Sequence, residues 1–274
     1  MHIINRDSDS SSKLLWVLLI MSFPIFGGVV YLLLGNRKIP KALMIKDRQA
    51  YSDYKKYALQ NIEILSDLHE DDYVLDKMTS MAWTNGYFPV YDNCLLTYFP
   101  SGEEQYQAFI QELIKAEDFI FMEFFIINKG VMWNTILQIL MDKAAMGVDV
   151  RVIYDDMGSL TYLPRDYAKW LNVRGIKTHA FNPLRPQLAM AMNNRDHRKI
   201  LVIDGKVAFT GGCNISDEYI NTKKRFGHWK DMGCMIKGAG VEMFTIPSYR
   251  FGTIKPVNIH RIRVLFKIVK SFHH

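Results

Sequence analysis

The sequence predicts an α/β fold, a sandwich with a largely parallel sheet, preceded by one transmembrane helix. An uncharged apolar run occupies residues 14–35, and apolar stretches of strand length alternate with amphipathic helical stretches after residue 100. Strands that alternate with helices are typical of a parallel sheet covered by helices. With 49% hydrophobic residues in 274, the chain forms a packed core. This composition excludes a disordered chain, a collagen-like repeat and a disulfide-rich miniprotein.

The apolar run over 14–35 is long enough to cross a bilayer, because about 20 apolar residues in a helix span the hydrocarbon core. A cleaved signal peptide has an apolar core of about 7–15 residues and a small-residue cleavage site, which fit poorly here. Basic residues crowd the C-terminal flank of the run, and the positive-inside rule places the rest of the chain in the cytoplasm. We therefore expect a single-pass protein of the cell membrane, with a flank at 1–13 and a juxtamembrane linker at 36–80.

A soluble domain is predicted over residues 81–240, followed by a divergent basic tail at 241–274. Apolar residues at helical spacing predict helices at 103–117, 133–146 and 162–173. Strands are predicted at 119–127, 148–154 and 177–181, with a hairpin of 200–203 and 207–210 that turns on Asp204-Gly205.

The charge and cysteine content limit the environment of the protein. Lys and Arg number 34 against 28 Asp and Glu, a formal charge of +6 that suits an anionic partner, either membrane phosphate or nucleic acid. The predicted membrane helix favours lipid over nucleic acid. The three cysteines have no metal-ligand spacing, which indicates a reducing compartment.

The chemical signal lies at residues 194–219, where His197 and Lys199 are separated by one residue. Two residues at this spacing on an extended segment point to the same side. An imidazole can attack phosphorus or carry a proton, and an ammonium group neutralises the non-bridging oxygens. The pair therefore suits phosphate chemistry.

Further polar and small residues come after the pair. Asp204 completes the pattern H-x-K-x4-D, and Gly211-Gly212 and Asn214 lie beyond it. The glycines let the backbone approach a phosphate without a Cβ in the way, and the Asn214 amide can donate to it. A turn alone also explains an Asp followed by Gly, so Asp204 has either an orienting or a structural role.

These residues resemble the phospholipase D superfamily, whose signature is HxKxxxxD followed by a Gly pair and Asn, and most of all the bacterial cardiolipin synthases. The similarity extends over about residues 14–240, including 122–127, 147–159 and 227–238. It implies a phospholipase D-like α/β sandwich domain at 81–240 that contains one HxKxxxxD motif.

The resemblance implies a phosphatidyltransferase that joins two phosphatidylglycerol molecules into cardiolipin and releases glycerol, with no metal or other cofactor. His197 would be the nucleophile that forms a phosphohistidine, or its acid/base partner. The phosphate would be bound by Lys199, Gly211, Gly212 and Asn214.

Two acidic residues are candidates for a supporting role. Glu123 lies within an apolar strand, where an unpaired charge would be costly to bury. It is either a network partner in the active-site wall or a residue at the solvent end of its strand. Asp231 matches the W-R-D pattern of the family, although Lys230 replaces the arginine. The neighbouring Phe121, Phe124 and Phe125 are expected in the core.

The family carries two copies of the motif, and this sequence shows one. We expect the N-terminal half of a cardiolipin synthase, which needs a homodimer or a second half to complete the site. A shifted reading frame is one explanation of the divergent tail at 241–274. One alternative is a dimeric single-motif phosphodiesterase that acts on phospholipid or nucleic acid. The other is an inactive fragment.

Overall fold

The computed structural model describes residues 3, 10–34, 58, 60–183, 195–225 and 227–245. Residues 10–34 belong to one compact unit, and the ranges from residue 60 onward belong to a second. Most of the predicted linker before residue 60, and the tail after residue 245, lie outside the described residues.

Two short helices occupy the apolar run near the N-terminus: α1 spans Ser10–Ser22 and α2 spans Pro24–Leu34. The prediction of one helix over 14–35 is therefore wrong. Proline has no N–H to donate and disfavours helical geometry in the preceding residue, so Pro24 ends one helix and begins the next. Among the described residues, no helix is both long and apolar enough to cross a membrane.

Helices α1 and α2 pack against each other. The rings of Trp16 and Tyr31 meet edge to face, with their centroids 5.3 Å apart. A Cβ on Gly27 would lie 2.7 Å from the carbonyl oxygen of Leu19. Trp16 and Tyr31 would be separated by about 22 Å along a straight helix. The chain therefore reverses direction between the two helices and forms a helical hairpin.

The second unit is built on one seven-stranded sheet, in the order β1-β7-β6-β5-β2-β3-β4. Its strands are β1 Cys94–Phe99, β2 Phe119–Phe124, β3 Asp149–Asp155, β4 Lys177–Phe181, β5 Lys199–Ile203, β6 Val207–Gly211 and β7 Gly233–Gly238.

The sheet is mixed, so the prediction of a largely parallel sheet is wrong. Strands β2, β3 and β4 are parallel neighbours, and the other four pairings are antiparallel. Helices connect β2, β3 and β4, and such crossovers make neighbouring strands parallel. Strand β5 instead joins the other side of β2 in the opposite direction, and the predicted hairpin then continues the antiparallel half.

The second unit also contains helices. They are α3 Ile62–Asp71, α4 Tyr73–Gly86, α5 Gly102–Ile114, α6 Val131–Ala145, α7 Asp156–Ser159, α8 Tyr167–Asn172, a 3₁₀ turn Ala239–Val241 and α9 Glu242–Thr245. Helices α5 and α6 confirm the predictions at 103–117 and 133–146. The helix predicted over 162–173 is shorter, because Pro164 precedes its first turn.

Apolar side chains cover both faces of the sheet. On one face the strands contribute Met122, Phe124, Leu201 and Phe209 to a large core that also holds residues of α5 and α6. On the other face Phe119, Phe121, Ile200 and Val202 pack with Val241 of the 3₁₀ turn. Successive strand residues alternate between the faces, so β2 and β5 contribute to both cores. The predicted α/β class is confirmed.

Candidate active site

His197 and Lys199 lie where β5 begins, beside the end of β2. Lys199 is paired with Phe124 in the register of these two strands. Its Nζ atom lies 3.2 Å from Nδ1 of His197 and donates a hydrogen bond to the His197 carbonyl oxygen at 2.6 Å. The structure therefore brings together the two side chains that the spacing predicts on one side.

The two members of this pair differ in their contact with solvent. The His197 side chain is exposed, whereas Lys199 is buried. Burial lowers the pKa of Lys199, and the charges of Asp196 and Asp231 partly oppose this effect. An exposed imidazole next to a desolvated ammonium group can receive a phosphodiester from solvent and hold its anionic oxygens.

Phe125 forms an aromatic contact beneath the pair. Its ring centroid lies 4.8 Å from that of His197 and 5.5 Å from Nζ of Lys199. A cation at this distance from an aromatic ring is attracted by its quadrupole. Phe121 and Phe124 are buried core residues as expected, but Phe125 is only half-buried and belongs to the site.

Gly211 and Gly212 bring two chain segments close together at the end of β6. The Gly212 amide donates to the carbonyl oxygen of Met232 at 3.1 Å. A Cβ on Gly211 would lie 2.6 Å from that same oxygen, and a Cβ on Gly212 would overlap the Asp231 carboxylate. Close approach of the neighbouring segment is thus enough to require glycine at both positions.

Asp231 occupies the same edge of the site. Its Oδ2 atom accepts a hydrogen bond from Nε1 of Trp229 at 3.1 Å, and its Oδ1 atom accepts one from the amide of Met232 at 2.8 Å. Its charge favours the protonated form of Lys199. The structure therefore places this predicted supporting residue beside the pair.

Asn214 is buried, and both ends of its amide are occupied within the protein. Its Oδ1 atom accepts from the amide of Ile126 at 3.0 Å, and its Nδ2 atom donates to the hydroxyl of Tyr219 at 2.9 Å. Direct donation to a phosphate is therefore not the arrangement found. Asn214 fixes the chain immediately after Phe125.

Asp204 lies at the opposite end of β5 from the His197–Lys199 pair. Strand β5 separates the two ends by about 15 Å, at roughly 3.3 Å per residue. The Asp204 carboxylate accepts hydrogen bonds from the amides of Glu117, Asp118 and Phe119, at 2.8–2.9 Å. Of the two roles considered for Asp204, the structural one fits this position.

Glu123 is buried rather than placed at the solvent end of its strand. Its carboxyl group forms an ion pair with Arg198 and interacts with Asp196. A network role is one of the two that the sequence predicts for Glu123, but neither partner was identified from the sequence. The sequence does contain one signal for these partners. Asp196 and Arg198 alternate with His197 and Lys199, so on an extended segment they point to the opposite side from the pair.

Two family models match the chain. Residues 109–236 match the cardiolipin synthase, PLD-like domain, and residues 1–36 match the phospholipase D-nuclease N-terminal family. An uncharacterized protein of Streptococcus mutans is 41% identical to this chain, over 96% of the chain and 59% of that protein. A cardiolipin synthase of Staphylococcus aureus is 34% identical, over 82% of the chain and 47% of that enzyme.

The chain spans about half the length of the curated relatives that it matches. Among solved structures, a phosphatidylserine synthase of Haemophilus influenzae is 16% identical with a TM-score of 0.46, and the match covers 63% of this chain and 43% of that one.

Proposed function

The chain belongs to the phospholipase D superfamily, with its cardiolipin synthase, PLD-like domain at residues 109–236, and on this premise we propose that it transfers phosphatidyl groups. The donor and the acceptor are both phosphatidylglycerol, and the products are cardiolipin and glycerol. The observation that carries the proposal is the exposed His197 imidazole with the Lys199 ammonium group 3.2 Å from its Nδ1 atom.

In the first half-reaction, a ring nitrogen of His197 attacks the phosphorus of phosphatidylglycerol. A P–N bond forms as the P–O bond to the headgroup glycerol breaks, and the leaving oxygen takes a proton from a second histidine. In the second half-reaction, the hydroxyl of another phosphatidylglycerol attacks phosphorus and gives its proton to that second histidine. The P–N bond breaks, which frees His197 and releases cardiolipin.

Lys199 stabilises the charge that builds up on the non-bridging oxygens in both steps. Because Lys199 is held by the His197 carbonyl oxygen, its position is fixed relative to the nucleophile. Gly211 and Gly212 allow the segment of Asp231 and Met232 to approach closely, which fixes the Asp231 carboxylate. The charges of Asp196 and Asp231 favour the protonated form of Lys199 and oppose the effect of burial on its pKa.

The second histidine comes from another motif, since the sequence contains one complete HxKxxxxD pattern, which begins at His197. His228 also precedes a lysine by two positions, but Met235 stands where that pattern requires Asp. A second copy of the chain or a second half supplies it. The cardiolipin synthase of Staphylococcus aureus is about twice as long as the part of it that aligns with this chain, which supports this requirement.

Attachment to a membrane is part of the same proposal. The α1–α2 hairpin exposes many large apolar side chains, among them Leu14, Leu18, Met21, Ile25, Phe26 and Leu32. Water is a poor solvent for such a surface, whereas a lipid bilayer accommodates it. Basic residues after the hairpin, from Arg37 to Arg48, favour the cytoplasmic side for the catalytic unit.

The proposal is tested with the purified chain in vesicles of phosphatidylglycerol, with cardiolipin and glycerol measured by mass spectrometry. We expect His197→Ala to abolish both products and His179→Gln, a histidine on β4, to retain them. Cardiolipin formation by His197→Ala at the wild-type rate would contradict the proposal. Phosphatidic acid in place of cardiolipin would indicate the phosphodiesterase instead.

Mixing wild-type and His197→Ala chains identifies the source of the second histidine. If two copies share one site, activity falls as the square of the wild-type fraction, because a mixed pair lacks one histidine. If each chain works with a separate second half, activity falls in direct proportion to the wild-type fraction.

A further inference from the structure

Three charged residues lie behind the His197–Lys199 pair. Glu123 and Asp196 are buried, and Arg198 is half-buried. Successive side chains of an extended segment point to opposite sides, so the residues that alternate with the pair turn away from it. The register between β2 and β5 places Glu123 on that same far side. The three residues therefore contact the back of the segment that presents the reactive groups.

Arg198 connects the members of this set. Its Nε atom donates to Oδ1 of Asp196 at 3.0 Å, and its guanidinium group forms an ion pair with the carboxyl group of Glu123. The main-chain amide of Asp196 donates to Oδ2 of the fully buried Asp155 at 3.0 Å. Asp155 is the last residue of β3, and Glu123 lies near the end of β2. The segment is thus fixed to two neighbouring strands.

The surroundings shift the pKa values of Glu123 and Asp196 in opposite directions. Burial, together with the hydrogen bond to Asp196, raises the pKa of Glu123 well above its ordinary value despite the opposing charge of Arg198. Burial also acts to raise the pKa of Asp196, but hydrogen bonds from Glu123 and Arg198 outweigh it and the net shift is downward. The surroundings therefore favour the protonated form of Glu123 and the ionised form of Asp196.

Arg195 and Asp155 add a second charged pair beside this set. The Arg195 guanidinium donates to Oδ1 of Asp155 at 3.3 Å and to the carbonyl oxygen of Asn182 at 3.1 Å. Asp155 also accepts from the amide of Gly158 at 2.9 Å. Two buried acidic residues therefore hold the segment before Lys199: Asp155 contacts Arg195 and Asp196, and Glu123 contacts Arg198.

We propose that Glu123, Asp196 and Arg198 are positioning residues that hold His197 against Phe125 and Lys199. The proposal rests on the proposed function only in taking His197 as the reactive group. Buried ion pairs are a poor source of stability, since apolar residues of similar volume often replace them at no cost. They do impose one geometry, because each hydrogen bond requires a particular orientation of both partners.

The position of His197 is measured directly by NMR on the full chain, with histidine labelled at Cε1 with ¹³C. The Phe125 ring displaces the resonance of His197, which is assigned by its loss in His197→Ala. Glu123→Met removes the carboxyl group with little change in volume, and Glu123→Gln keeps a polar group of the same shape there. Asp149→Asn is the matched control. Asp149 forms ion pairs with Arg151 and Lys177 at the first residue of β3, which is the end of the strand away from His197.

We expect Glu123→Met to move the His197 resonance toward that of a histidine with no neighbouring aromatic ring and to leave His69 unchanged. Glu123→Gln and Asp149→Asn should keep the wild-type position. In vesicles of phosphatidylglycerol, Glu123→Met should lower kcat at least 10-fold with KM within 2-fold. An unmoved His197 resonance in folded Glu123→Met would overturn the proposal, and so would an equal displacement in Asp149→Asn.

Asp196→Asn provides a second variant if Glu123→Met fails to fold. It removes the charge opposite Arg198 and keeps the volume, and we expect it to move the His197 resonance in the same direction. An unchanged resonance in folded Asp196→Asn would count against the proposal equally. The position of the His197 resonance does not depend on turnover. A catalytically active His197→Ala would therefore refute the proposed function without changing the outcome of the NMR test.

Discussion

The carboxylate of Asp204 accepts a hydrogen bond at 2.8 Å from the main-chain amide of Phe119, the first residue of β2. Two more amides, of Glu117 and Asp118, donate to the same carboxylate. This contact joins the hairpin of β5 and β6 to the start of the central strand. The Asp of the HxKxxxxD pattern therefore stabilises the sheet at the end away from His197.

Asp204→Ala should lower the free energy of unfolding by about 2–4 kcal/mol, because it leaves three amides without their acceptor. Urea unfolding of both proteins measures this difference. The loss should appear in stability, while the kcat of the folded fraction stays within a few-fold of wild type. A loss of kcat above 100-fold in a fully folded variant would instead assign Asp204 to catalysis.

Activity should decline at alkaline pH below the ordinary Lys pKa of 10.5, because burial lowers the pKa of Lys199. Once Lys199 loses its proton, no cation remains there to hold the phosphate oxygens. The pH profile of kcat/KM measures this decline. Lys199→Met should lower kcat/KM by about 100-fold or more and remove the decline. A profile that stays flat up to pH 10.5 would contradict this role.

The fold should become less stable as pH rises above the ordinary Glu pKa of 4.5, because folded Glu123 keeps a proton that the unfolded chain releases. The unfolded state then binds fewer protons than the folded state, so the free energy of unfolding falls with pH. Glu123→Gln should flatten this slope between pH 5 and pH 8. Urea unfolding at several pH values provides the measurement, and identical slopes in both proteins would show that Glu123 ionises normally.

Asn214→Leu should cost about 1–3 kcal/mol of stability, since it leaves the Ile126 amide and the Tyr219 hydroxyl without partners. Tyr219→Phe removes one of these bonds and should cost about 0.5–1.5 kcal/mol. The two losses should not add in the double variant, because they share one hydrogen bond. Full additivity would mean that Asn214 and Tyr219 act independently.

The local elements of the site could be predicted from the sequence. The alternation of side chains on an extended segment predicted that His197 and Lys199 meet, and Asp204-Gly205 predicted the hairpin of β5 and β6. Both depend on neighbouring residues alone. The chemistry of the pair was predicted from residue types.

Long-range pairings could not be predicted in the same way. Strands β1 and β7 are far apart in sequence, and their pairing depends on the path of the whole sheet. The antiparallel position of β5 beside β2 likewise has no local signal. Glu123 contacts Arg198 only because β2 and β5 are paired, so this contact could not be predicted from the periodicity of the sequence.

The apolar run is the opposite case, because the local signal that divides it is present in the sequence. Pro24 has no amide hydrogen to continue the helix and restricts Phe23 before it. The length and hydropathy of residues 14–35 favoured a single helix, whereas the proline divides the run into α1 and α2.

The central claim, that His197 carries the phosphatidyl group, is tested most directly by trapping the intermediate. The chain is mixed with phosphatidylglycerol labelled with ³²P, denatured in alkali and digested, and the labelled peptide is sequenced. We predict an acid-labile, alkali-stable label on the peptide that contains His197, and no label in His197→Ala. Cardiolipin formation by His197→Ala at the wild-type rate, or a label on any other residue, would contradict the claim.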